Sequence, residues 1–123
     1  MMIQLKSQDM GMLLFHMGIM RKEIKKALKR NYSFFEAKKQ LACYDSIIEL
    51  FGRVVDDAGE HHDIYIDLSY EQRVMLSSFL SSYMEIIKRE AGREKIDASD
   101  ILQTLEKLLV RLKEGQHVYA ETV

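Results

Sequence analysis

The sequence predicts an α+β domain that is mostly α: a tandem strand–helix–helix repeat whose four helices pack on a small two-stranded sheet. Three observations predict it. The 123 residues contain no proline, the residue that removes a backbone donor and breaks helix interiors. Two short segments, Met2–Lys6 and Ile64–Leu68, alternate apolar and polar side chains, as half-buried strands do. Each is followed by a serine and then by two long amphipathic stretches, so the same order of elements occurs twice.

In the first strand, Ile3 and Leu5 share one face. Ser7 is placed to cap the next helix, because a serine hydroxyl accepts from a free first-turn amide. That helix is expected from about Gln8 to Arg30, with Leu13, Met17, Met20, Ile24 and Leu28 recurring at the helical period. Asn31 suits a left-handed end residue. The second helix opens on Ser33 and Glu36, a capping box. Phe34, Ala37, Leu41, Tyr44, Ile48, Phe51 and Val55 form its inward seam. Cys43, Ile47, Leu50 and Val54 run alongside, and Gly59 is expected to end it.

The second strand places Ile64, Ile66 and Leu68 on one face. Ser69 and Gln72 make another capping box. The third helix is expected from about Tyr70 to Ala91, with a stripe of Leu76, Leu80, Tyr83 and Ile87, stopped by Gly92. Asp97 is expected to cap the fourth helix, with Ile96 and Ile101 stapling its entry. Leu105, Leu108 and Leu112 continue its stripe to Gly115. The tail at 116–123 contains Val118 and Tyr119, a combination that suits either a short edge strand or a frayed end.

The repeat halves are expected at about 1–60 and 63–115 of one domain, 1–123. Ile3 and Leu5 align with Ile66 and Leu68, and Met17, Met20 and Ile24 with Leu80, Tyr83 and Ile87. Ala37, Leu41, Tyr44 and Phe51 align with Ala98, Leu102, Leu105 and Leu112. One strand–helix–helix unit cannot cover its own apolar face, whereas two can if their strands pair.

Composition narrows the function. Hydrophobic residues make 47% and charged residues 30%, a globular balance. Eighteen Lys and Arg stand against nineteen Asp and Glu, a net charge of −1, which predicts no bulk attraction to nucleic acid or membrane. The longest apolar run, Met10–Met20, is too short for a bilayer span and lacks the flanks of a signal peptide. One cysteine, Cys43, allows no internal disulfide. A cytoplasmic protein is expected.

No phosphate loop, nucleophile elbow or zinc signature is present in the sequence, so no enzyme, cofactor or metal is expected. His61 and His62, with Glu60 and Asp63, are the nearest approach to a ligand cluster, but adjacent loop residues rarely converge on one ion. Cys43 reads as a small buried hydrophobe.

Two surfaces stand out. The first helix carries Met12, Phe15, His16 and Ile19 in addition to its core stripe, more apolar surface than so small a chain readily hides. Six of the eight methionines fall within residues 1–20, and methionine suits adaptable contacts. The expected function is therefore a non-enzymatic helical interaction module, a small regulator, adaptor or inhibitor, pairing with itself as a homodimer and with another protein. The second surface is the junction of the first two helices. Lys25, Lys26, Lys29, Arg30, Lys38 and Lys39 interleave there with Tyr32, Phe34 and Phe35, a pattern that fits an anion or nucleic acid. A small-ligand sensor or enzyme with a pocket between the repeats is the further alternative. Opposite in charge is the stretch from Val54 to Gln72, with six acids and no Lys or Arg.

Overall fold

A computed structural model describes residues 2–58 and 63–122, with side chains at 2–56 and 63–113. The order is β1 (Met2–Lys6), α1 (Ser7–Asn31), α2 (Phe34–Ala58), β2 (Asp63–Asp67), α3 (Tyr70–Glu94) and α4 (Ser99–Thr122). The fold is mostly helical α+β, with a two-stranded antiparallel sheet and the β-α-α pattern twice in sequence. The chain divides into two compact units, Met2–Leu68 and the part from Ser69 onward.

In the Met2–Leu68 unit, α1 and α2 form a helical hairpin, and β1 and β2 pair where its two outer ends return. Ile3 faces Ile66 and Leu5 faces Ile64 across the strands. All four are buried, while Met2, Gln4, Lys6, Asp63, Tyr65 and Asp67 are exposed. The period-two pattern is thus realised as one dry and one wet face. Met10, Leu13 and Met17 of α1 and Ala37, Tyr44, Ile47 and Phe51 of α2 supply the helical core.

In the unit from Ser69 onward, α3 and α4 pack as a second hairpin. Leu76, Phe79, Leu80, Tyr83 and Met84 are buried on α3, and Leu105, Leu108, Leu109 and Leu112 on α4. The rings of Phe79 and Tyr83 stack with centroids 5.5 Å apart.

Several helix ends differ from the sequence expectation. Ser7 is not a cap: it is buried as the first helical residue, and Lys6, in extended conformation, precedes it. Asn31 stays helical, and α1 ends on extended Tyr32, whose N–H donates to the Leu28 carbonyl at 3.0 Å. Gly92 does not stop α3; the stop falls at Lys95, in left-handed conformation at φ 57°. Asp97 lies just ahead of α4, where its carboxylate accepts from the Ser99 N–H at 3.0 Å and the Ser99 hydroxyl at 2.7 Å. These two bonds hold its carboxyl below the usual range. α4 runs through Gly115 to Thr122, so the tail is helical and adds no edge strand. A glycine inside a helix costs only about 1 kcal/mol against alanine, which neighbouring helix formers outweigh when no proline follows. The Ser69–Gln72 box forms in full, and at Ser33 the hydroxyl accepts from the Glu36 N–H at 3.4 Å. Gly59 and the Glu60-His61-His62 cluster lie outside the described residues.

Candidate functional site

The α1–α2 hairpin is held by two contacts near its middle. The Arg21 guanidinium grips the Asp45 carboxylate with two parallel bonds, Nε to Oδ1 at 2.7 Å and Nη2 to Oδ2 at 2.8 Å. This bidentate geometry is the strong form of the pair. It holds the Asp45 carboxyl below its usual range and raises the guanidinium. Deeper in, the Tyr44 hydroxyl donates to the Met17 carbonyl at 2.6 Å, and burial raises its ionisation well above the ordinary tyrosine value. With those contacts fixed, the remaining faces of α1 are set.

Phe15 and Ile19, one helical turn apart, are 65% and 60% exposed. Met12 and His16 flank them, both half-buried. The His16 ring stands edge-on to Phe15 with centroids 5.4 Å apart, and burial lowers its basicity. Lys22 and Lys26 continue the same exposed stripe toward the hairpin tip. The inward stripe weakens in that direction. Leu13 and Met17 are fully buried, but Met20, Ile24 and Leu28 are half-buried.

At the hairpin tip a groove of about 570 Å³ opens between the end of α1 and the start of α2. Lys25, Lys29 and Tyr32 line it from one side, and Phe34, Ala37, Lys38 and Leu41 from the other. Its floor is apolar and its rim carries three ammonium groups. The Lys38 Nζ lies 4.8 Å from the centre of the Phe34 ring, within range for cation–π attraction. Phe34 is 67% exposed and its neighbour Phe35 82%, so the inward seam expected of α2 starts at Ala37. The cationic cluster expected from the sequence is only partly gathered: Lys26, Arg30 and Lys39 are exposed but do not line the groove. Lys26 is 3.9 Å from Glu23.

Tyr65 was not singled out by sequence reasoning. It is 63% exposed on the wet face of β2, between Asp63 and Asp67. Its signal was the alternation itself, which assigns Tyr65 to the face opposite Ile64 and Ile66. Cys43 is half-buried. Among the described residues no three His, Cys, Asp or Glu side chains gather as metal ligands, and no helix is long and apolar enough to cross a membrane. Comparison with family models, curated proteins and solved structures found no match; the functional reading therefore rests on geometry.

Proposed function

We propose that this chain is a non-enzymatic protein-interaction module, a small regulator, adaptor or inhibitor that pairs with itself through the exposed face of α1. The observation that supports it is the side-by-side exposure of Phe15 and Ile19, with Met12 and His16 against them. Two large apolar side chains in one patch on a rigid helix are costly to leave in water, at roughly 25 cal/mol per Å². Patches of this kind mark contact surfaces. Helix-to-helix contact through i and i+4 anchors is an established recognition mode.

The nucleic-acid alternative has less support. Only three of its six cations meet at the groove, the floor between them is apolar, and the chain as a whole is not basic.

Sedimentation equilibrium of the full chain tests the proposal. The wild type is expected to be dimeric. Phe15→Ser with Ile19→Ser is expected to be monomeric with an unchanged helical circular dichroism spectrum. A wild type that stays monomeric up to high concentration overturns it.

A further inference from the structure

The inference rests on that self-pairing and gives it a direction and a second contact. α1 is bipolar. From Ser7 to Met20 it carries no Lys or Arg and one acid, Asp9; from Arg21 to Arg30 it carries six basic residues and one acid, Glu23. Its 25 residues span ~37 Å at the helical rise, with Phe15 and Ile19 close to the middle. The groove with Lys25, Lys29 and Lys38 lies at one end of the hairpin. The paired strands lie at the other, with Asp63, Tyr65 and Asp67 on their exposed face.

We propose that two copies pair α1 against α1 in antiparallel fashion about a two-fold axis between Phe15 and Ile19, and that the groove of each copy receives the Asp63–Tyr65–Asp67 face of the other. Charge decides the direction. Parallel pairing would lay Lys22 and Lys26 of the exposed stripe beside the same two residues of the other copy, and like charges juxtaposed at an interface are disfavoured. Antiparallel pairing sets each basic half against the half of the other copy that has none.

The register follows from two-fold symmetry, in which each contact occurs twice with the copies exchanged. With Phe15 against Ile19 of the second copy, the exposed stripe brings Lys22 level with Met12 of the second copy and Lys26 with its Gln8, and Lys29 comes level with the β1–α1 junction beside Leu5. Leu5 is the strand partner of Ile64, and the adjoining pair is Lys6 with Asp63. The groove of one copy therefore arrives at the strand base of the other.

The chemistry of the two surfaces is complementary. An aromatic ring in a 570 Å³ apolar groove meets Tyr32, Phe34 and Leu41, the kind of anchor that carries interface energy. Asp63 and Asp67, about 13 Å apart along a strand, flank that ring and reach the lysines at the rim. All of these groups belong to the Met2–Leu68 unit.

The test uses the full chain and two readouts. Charge reversal at the groove (Lys25→Glu, Lys29→Glu, Lys38→Glu) and at the strand (Asp63→Lys, Asp67→Lys) is each expected to weaken dimerisation at least about tenfold. Mixing the two variants is expected to restore a heterodimer. In a Cys43→Ser background, oxidation is expected to join a Lys29→Cys chain to a Tyr65→Cys chain but not Lys29→Cys to itself. If Lys29→Cys joins itself, or if both reversals leave dimerisation intact while the Phe15, Ile19 variant is monomeric, the antiparallel groove contact is overturned and self-pairing through α1 stands. If the groove reversal abolishes binding of a single-stranded oligonucleotide while leaving dimerisation intact, the groove is a nucleic-acid site and the inference is likewise overturned. A monomeric wild type removes both readings.

Discussion

The Tyr44 hydroxyl donates to the Met17 backbone carbonyl across 2.6 Å, joining two residues that have no exposure at all. A buried neutral hydrogen bond contributes about 1 kcal/mol net, so Tyr44→Phe is expected to lose that much in chemical denaturation with its fold intact. There is also a pH signature. The folded state raises the ionisation of Tyr44 above its ordinary value of 10.0. The stability this group contributes is therefore complete below pH 10 and is lost as pH rises beyond it, because the unfolded chain sheds the proton first. Tyr44→Phe is expected to flatten this alkaline decline. Some decline remains, since burial raises Tyr83 as well. Melting temperature against pH checks both.

The Arg21–Asp45 fork predicts an acid-side effect of the opposite sense. The hydrogen bonds from Arg21, with the nearby Lys25 charge helping, hold the Asp45 carboxyl below its ordinary value of 3.8. Its stabilisation is present above that value and is lost as pH falls through the lower folded value. Asp45→Asn is expected to melt below the wild type at neutral pH, and the two melting curves are expected to converge in strong acid. Arg21→Lys keeps the charge but not the planar fork, and is expected to fall between them at neutral pH.

At the start of α3, Ser69 accepts from the Gln72 N–H at 3.1 Å, and the Gln72 side chain accepts from the Ser69 N–H at 3.0 Å. Ser69→Ala is expected to cost about 1 kcal/mol. Adding Gln72→Ala is expected to cost less than the sum of the single changes, because the two bonds support one turn. Urea denaturation of the two single variants and the double variant measures this coupling.

Lys95 ends α3 at a positive φ of 57°, a conformation that costs a residue with a Cβ roughly 1–2 kcal/mol. Lys95→Gly removes that strain but frees the unfolded chain. The net expectation is a gain of about 0.5 kcal/mol, visible as a raised urea midpoint with an unchanged slope. A loss would mean that the Lys95 side chain holds something the cap geometry does not show.

These residues also mark how much the sequence disclosed. The strands were legible because Ile3, Leu5, Ile64 and Ile66 alternate with polar neighbours, and a two-residue period admits one reading. The box at Ser69 was legible because both partners are local. Ser7 was not: a serine at a strand–helix junction either caps or is swallowed, and here it is buried. Gly92 and Gly115 misled because glycine permits a stop without compelling one. Phe34 misled for another reason. Periodicity places it on the face shared by Ala37 and Tyr44, but burial depends on a neighbour arriving, and beyond Ala37 that face looks onto the groove. The apolar surplus on α1 was visible in sequence, yet only the structure sorts it into half-buried Met12 and His16 and exposed Phe15 and Ile19.

The pairing of Met2 with Asp67 also carries a kinetic consequence. The helical hairpin between them closes over shorter spans, 24 residues from Arg21 to Asp45 and 27 from Met17 to Tyr44, whereas the strands must bring together nearly the whole length of their unit. Such closure is slow, since chain entropy is surrendered before any contact rewards it. The two-stranded ribbon is thus expected to set last, and weakening it through Ile3 or Ile66 is expected to quicken unfolding more than it slows folding.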